Sequence, residues 1–135
     1  MLDTAPALRR LRARSEFLFV RQGVKAVRPT VIVEARRRTL DGTCGVGFTA
    51  SKKIGRAVIR NRARRRLKEA ARRSVPRLGA AGADYVFVAR AATPEAPWSA
   101  LLDDIESALI SVAAALDRAS ERRPRRARPS QKATD

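Results

Sequence analysis

The segment from Ile54 to about Ser74 constrains this chain most. Read as a helix, it gathers Ile59, Ala63, Leu67 and Ala70 into one narrow apolar stripe, and basic residues take much of the remaining circumference. Such a helix can pack by one side only. Between Lys52 and Arg73 the chain holds eleven Lys or Arg and one acid, Glu69. The basic positions are Lys52, Lys53, Arg56, Arg60, Arg62, Arg64, Arg65, Arg66, Lys68, Arg72 and Arg73. An ordinary solvated helix face alternates signs, because like charges one turn apart each cost about 0.2–0.5 kcal/mol. A helix that accepts so many of them points to negative charge supplied from outside. Eight of the eleven are Arg, whose planar guanidinium forks phosphate oxygens and stacks on bases.

The whole chain repeats the imbalance. Its 135 residues carry 30 Lys plus Arg against 13 Asp plus Glu, a formal charge of +17. A small domain with that charge repels itself until a polyanion neutralises it, and RNA, DNA and anionic membrane are the available polyanions. Histidine is absent and Cys44 is the only cysteine. The commonest general base and the commonest metal ligand are therefore missing, and neither an intrachain disulfide nor a cysteine-cluster zinc site can form. Cys44, inside a strand-like run, reads as a small core residue. Asp103, Asp104 and Glu106 read as partners of a helix N-terminus and not as a metal site. No apolar run approaches the ~18 residues of a membrane span. Met1 to Arg14 lacks the apolar region of a secretory signal. The expectation is a cytoplasmic, nucleic-acid-binding protein in which catalysis by histidine, cysteine or zinc is closed off.

Residues 1–13 read as a flexible basic arm. Ser15 is the expected N-cap of a two-turn helix that stops at Gly23, with Phe17 and Val20 on one side and Arg21 following Phe17 at i+4. Val24 to Val27 is a short strand. The β-branched run Thr30 to Ala35 is a second strand, joined by a charged hairpin connection closing on Asp41-Gly42 to a return strand, Cys44 to Ala50. Val46, Phe48 and Ala50 share one face of the return strand, and its glycines, Gly45 and Gly47, mark close backbone approach. Pro76 and Gly79 end the basic helix. Tyr85 to Ala89 is a nearly continuous apolar strand inside the sheet. Thr93-Pro94 leads into a helix from Trp98 to about Arg118, with Leu101, Ile105, Ala108, Val112 and Leu116 as its apolar stripe. Residues 119–135 read as a disordered basic tail. The domain is thus 14–118, with helices on a sheet of three or four strands. Of the six aromatics, Phe17, on a short and partly exposed helix, is the best placed to stack on a base, with Phe48 or Tyr85 as possible companions on the sheet. No P-loop, dinucleotide-binding, RRM or zinc-knuckle pattern is present.

The run GFTASKKIGRAVIRNRARRRLKEAAR, Gly47 to Arg72, closely resembles the hallmark of the bacterial ribonuclease P protein family: a strand ending in SKK, a G-x-A-V-x-R-N-R stretch, and a basic helix. Arg60-Asn61-Arg62 match the family's RNR motif. RLRARSEFLFVRQG, from Arg10 to Gly23, resembles its first helix, and DYVFVARAA, from Asp84 to Ala92, its last strand. The likeness spans roughly residues 8 to 118. It implies an α+β fold, a small two-layer sandwich in the order α-β-β-β-α-β-α with a left-handed crossover around the basic helix. It also implies a function: protein subunit of an endoribonuclease that matures the 5′ end of tRNA, with catalysis and Mg²⁺ located in the RNA subunit. The implied partners are ribonuclease P RNA, in a 1:1 complex with a monomeric protein, and the single-stranded 5′ leader of precursor tRNA. Carried onto this chain, the RNA-binding set is Lys52, Lys53, Arg56, Arg60, Asn61, Arg62, Arg64, Arg65, Arg66, Lys68 and Arg90. The leader cleft holds Phe17, Arg21 and Phe48. Some members carry a second Phe where this chain has Arg21, which implies leader contacts that are more electrostatic and less stacked. A ribosomal protein, a protein-only nuclease and a membrane-surface helix are the rival readings.

Overall fold

The computed structural model describes residues 8–39 and 42–127. Its elements are β1 (Arg9–Arg10), α1 (Arg14–Arg21), β2 (Val24–Val27), β3 (Val31–Arg37), β4 (Gly45–Thr49), a 3-10 turn (Lys52–Ile54), α2 (Ala57–Leu78), β5 (Ala83–Ala89) and α3 (Trp98–Ala127). The α+β class and the order of elements are as expected, with the short edge strand β1 added.

The five strands form one sheet in the order β1-β4-β5-β3-β2. β2 and β3 are a local antiparallel pair, and β5 lies antiparallel to β3 and parallel to β4. The expected hairpin between the second and third strands is therefore corrected: β5 separates β3 from β4. A strand that is apolar on both faces gains most at the centre of the sheet, where both its edges and both its faces are covered. The backbone after β3 turns toward β5 instead, with the N–H groups of Arg38 and Thr39 bonded to the Gly82 carbonyl at 2.8 and 3.2 Å. Of the Asp41-Gly42 turn, Asp41 lies outside the described residues.

α2 and α3 cover one face of the sheet. The core there joins Val31, Val33 and Ala35 of β3, Tyr85 and Phe87 of β5, Ala63, Leu67 and Ala70 of α2, and Leu101 and Ile105 of α3. Phe48 stacks on Phe87 with ring centroids 5.5 Å apart. Tyr85 is fully buried and its hydroxyl accepts a 2.7 Å bond from the Ala80 N–H. Burial pushes that phenol up to about 12. Cys44 is buried, and its thiol, raised by desolvation, donates to the Ala80 carbonyl at 3.2 Å. α2 continues past its expected end through Pro76 to Leu78, because Ala71, Ser74 and Val75 are buried and packing outweighs the missing proline N–H. α3 likewise runs to Ala127, beyond Arg118 and into the segment expected to be a disordered tail; residues 128–135 lie outside the described residues. Asp104 near its start accepts from both the N–H and the hydroxyl of Thr30, which holds the β2–β3 turn.

Among the described residues, the opposite face is covered by α1 and the segment that joins it to β1. Leu11, Val20 and Val86 form a small second core with Phe17, Phe19 and Val88 packed on it. The arm expected over 1–13 is ordered from residue 8 onward, and residues 1–7 lie outside the described residues. The cause is an ion network. Arg9 binds Glu16 at 3.2 Å and the buried Asp84 at 2.7 Å, and Asp84 also meets Arg38 and the Gly45 N–H. A side chain at Gly45 would strike the Asp84 carboxylate. The N-cap of α1 is Ala13 and not Ser15. Glu16 does the capping from inside the helix, accepting from the Arg12 and Ala13 N–H groups at 2.7 and 3.0 Å. Those two bonds, with Arg9 beside them, hold the Glu16 carboxyl below the usual range.

Candidate nucleic-acid interface

α1 is eight residues long and cannot cover its whole face of the sheet. What it leaves is a groove of about 600 Å³. Val86 and Val88 of β5 with Thr49 of β4 line its floor, Phe17 of α1 forms a side, and Arg12, Arg14 and Arg21 stand around it. Glu34 of β3 is its one acid. Phe17 lies directly on the strand at Gly47, where an added Cβ would sit 2.6 Å from its ring. The close approach expected of that glycine is thus what seats the aromatic. Phe17 serves both readings weighed for it, packing on the small core by one side and lining the groove by another.

Phe48 does not join it. Successive residues of a strand face opposite ways. Phe48 is in register with Phe87 and turns with it into the helix-covered core, while its neighbours Gly47 and Thr49 face the groove. The expected pairing of Phe48 with Phe17 in one cleft is corrected on that ground.

The chain leaves the groove at Thr49 and reaches the 3-10 turn three residues later. Lys52 and Lys53 are exposed on that turn, and Arg56, also exposed, is the N-cap of α2. The basic residues of α2 then divide. Arg62 pairs with Glu95 of the β5–α3 connection, and Arg66 donates to the Thr93 and Ala96 carbonyls of the same connection. Arg66 and Arg73 both lie against the Trp98 ring, with guanidinium carbons 5.7 and 5.6 Å from its centroid. Arg72 and Arg73 share Glu69, whose carboxyl is lowered to about 2 by the bonds from Arg72 and Arg73. Asn61 accepts from Arg64 at 2.7 Å. Among the described residues, the side chains of Lys52, Lys53, Arg56, Arg60, Arg65 and Lys68 have no hydrogen-bond or ion-pair partner, and the Arg60 Nε is buried without one. Arg66 is therefore a structural strut, not a free cation. Arg90 is similarly engaged, donating to the Arg28 carbonyl at 2.7 Å, which ties the end of β5 to the β2–β3 turn.

Sequence reading missed Arg12, Arg14, Glu34, Thr49, Val86 and Val88 as groove residues. For the last four a signal existed: once β5 is central, strand alternation puts them on the face of Gly47 and Asp84. For Arg12 and Arg14 none did, because the tether formed by Arg9, Glu16 and Asp84 is long-range. Among the described residues no three His, Cys, Asp or Glu come together. No helix among the described residues is long and apolar enough to cross a membrane.

The family model described as Ribonuclease P matches residues 5–113. The ribonuclease P protein component of Caulobacter vibrioides is 50% identical over 118 residues, covering 87% of this chain and 79% of that one. That of Ruegeria pomeroyi is 46% identical over 102 residues, covering 73% and 82%. Among solved structures, the RNase P protein from Thermotoga maritima superimposes with a TM-score of 0.66 at 23% identity, over 76% of this chain and 96% of that one.

Proposed function

The chain belongs to the ribonuclease P protein family, and from that membership we propose that it binds the catalytic RNA subunit through the exposed basic turn and helix and holds the 5′ leader of precursor tRNA in the α1 groove. The observation that carries the reading is the groove itself: an apolar floor and one aromatic side chain, Phe17, ringed by Arg12, Arg14 and Arg21. Single-stranded RNA needs both kinds of contact, cationic for its phosphates and apolar or aromatic for its bases. Arg60, Arg65 and Lys68, with Lys52, Lys53 and Arg56, supply the positive surface for the RNA subunit. Asn61, Arg62 and Arg64 complete it, with Arg62 released from the exposed Glu95 when phosphate replaces it.

The reaction assisted is hydrolysis of one phosphodiester bond at the mature 5′ end. The chain has no histidine, and among the described residues no carboxylates are grouped for that chemistry. The acids among the described residues do not fit a Mg²⁺ site, so the Mg²⁺ of the holoenzyme belongs to the RNA in this proposal, and the protein contributes position and charge as a monomer in a 1:1 cytoplasmic complex.

The test is cleavage of precursor tRNA at low Mg²⁺ by protein alone, by a bacterial ribonuclease P RNA alone, and by the mixture. Cleavage at the mature 5′ end confined to the mixture is expected. Activity of the protein alone that survives ribonuclease treatment would overturn the mechanism. Phe17→Ala is expected to raise the Kd of precursor tRNA about tenfold, in the range of one lost base stack, and to leave that of mature tRNA unchanged. An unchanged ratio removes Phe17 from the leader site.

A further inference from the structure

The last third of α3 carries no apolar stripe. Leu116 is the last buried residue of the helix, and none of residues 117–127 is Val, Leu, Ile, Met or aromatic. The helix nevertheless runs on to Ala127, about 16 Å further. This extension holds Arg118, Arg122, Arg123, Arg125 and Arg126 against Asp117 and Glu121. Arg118, Arg122, Arg125 and Arg126 follow the i, i+4, i+7, i+8 spacing of one helical stripe. Like charges one turn apart destabilise a helix. The helix dipole favours cations in the last turn only, and Arg118 lies more than two turns before it. As in α2, the pattern points to negative charge supplied from outside. The extension also has a defined place. Arg37, in register with Ala83 at the start of β5, binds Asp117 at 3.5 Å. Thr49, from which the chain enters the turn of Lys52 and Lys53, is in register with Val88 near the end of β5. The extension therefore leaves the domain at the end opposite the basic turn, with the length of α2, about 33 Å, between them. The cations along the way are compensated: Arg72 and Arg73 by Glu69, Arg77 by Glu106, Arg37 by Asp117. Excess positive charge is thus left at both ends of the domain.

We propose that the α3 extension is a second RNA-binding element. It grips phosphates of the RNA subunit at a segment separate from the one bound by the basic turn and α2, so that the protein bridges two parts of that RNA. The extension continues from residue 113, where the family match ends, to Ala127. The proposal rests on the RNA-subunit reading above. Turnover favours the RNA subunit over precursor tRNA as the occupant. A substrate must leave after each cycle, product release limits many kcat values, and several arginines on the product would slow it. A resident RNA carries no such limit. The groove, moreover, is floored by Thr49 and Val88, toward the other end of the sheet.

The experiment compares the full chain with a combined variant, Arg118→Gln, Arg122→Gln, Arg125→Gln and Arg126→Gln, which removes four charges and keeps helix propensity. Binding to a bacterial ribonuclease P RNA is measured across a salt series. The slope of log Kd against log salt should fall by about 3 in the variant, since each lost phosphate contact removes about 0.7–0.9. Hydroxyl-radical footprinting of the RNA should show two separated protected segments with the native protein. The variant should lose one of them, and Lys52→Gln with Lys53→Gln should weaken the other. Precursor tRNA should bind holoenzyme saturated with the variant as tightly as native holoenzyme. An unchanged slope and footprint overturn the proposal and leave the extension a solvated helix end. A loss of slope that is equal on an unrelated RNA, with both footprints kept, overturns it as generic attraction. A weakened precursor tRNA with unchanged affinity for the RNA subunit overturns the choice of occupant. A native protein that binds the ribonuclease P RNA no more tightly than the unrelated RNA overturns the RNA-subunit reading itself.

Discussion

The two faces of the sheet are built by the same strands and finished differently. Toward α2 and α3, Val31, Val33, Ala35, Tyr85 and Phe87 are all fully buried. Toward α1, Asp84 and Val86 are buried, while Glu34, Thr49 and Val88 stay half-exposed. β5 feeds both faces with alternating residues, so composition does not separate them. Cover length does: a helix of eight residues spans about 12 Å, too little for a sheet this wide. The closed face supplies stability, and the half-closed one leaves the groove open to solvent. Substitutions on the two faces should therefore fail in different ways.

The largest expected effect is on the closed face. Phe87→Ala removes a fully buried ring that stacks on Phe48, and should cost about 3–5 kcal/mol in urea unfolding. A loss under 1 kcal/mol would break the distinction between the faces. Gly47→Ala comes next. Its methyl would displace the Phe17 ring, an overpacking worth about 1–3 kcal/mol, and should weaken precursor tRNA binding beyond its effect on the thermal midpoint. A third pair sharpens the same contrast within one helix. Arg66→Ala should lower stability by about 1–2 kcal/mol through two lost carbonyl bonds. Arg65→Ala should leave the unfolding midpoint in place and reduce the slope of log Kd against log salt by about 0.7–0.9. The smallest effect concerns Glu69. Its folded pKa lies below the unfolded value, so the stabilisation it gives is complete above pH 4.5 and drains as pH falls toward 2. NMR titration should place its midpoint near 2, and a midpoint at 4.5 would dissolve its pairing with Arg72 and Arg73.

The parts of this molecule legible in its sequence are those fixed by short-range pattern. The α2 stripe of Ala63, Leu67 and Ala70 and the α3 stripe from Leu101 to Leu116 are buried as their spacing requires. Gly47 announced a close approach without revealing that Phe17 makes it. What stayed hidden depends on contacts far apart in the chain. The placement of β5 between β3 and β4 set which face Phe48 joined, and the attachment of Arg9 to Asp84 made an ordered edge of an apparent arm. The split of the α2 arginines was equally unreadable, since Arg65 and Arg66 are neighbours of identical type separated only by what the β5–α3 connection offers to one of them.

The central position of β5 has a consequence for the order of events during synthesis. Val31 must wait for Ala89, and Gly45 for Asp84, before either half of the sheet has its partner. A nascent chain that has reached Gly82 thus presents β3 and β4 with open edges and no shared neighbour, a state that folds slowly and invites wrong pairing. The floor of the groove, Val86 and Val88, is then still unmade. No truncated product ending before β5 has the groove, so the groove exists only once the sheet has been completed.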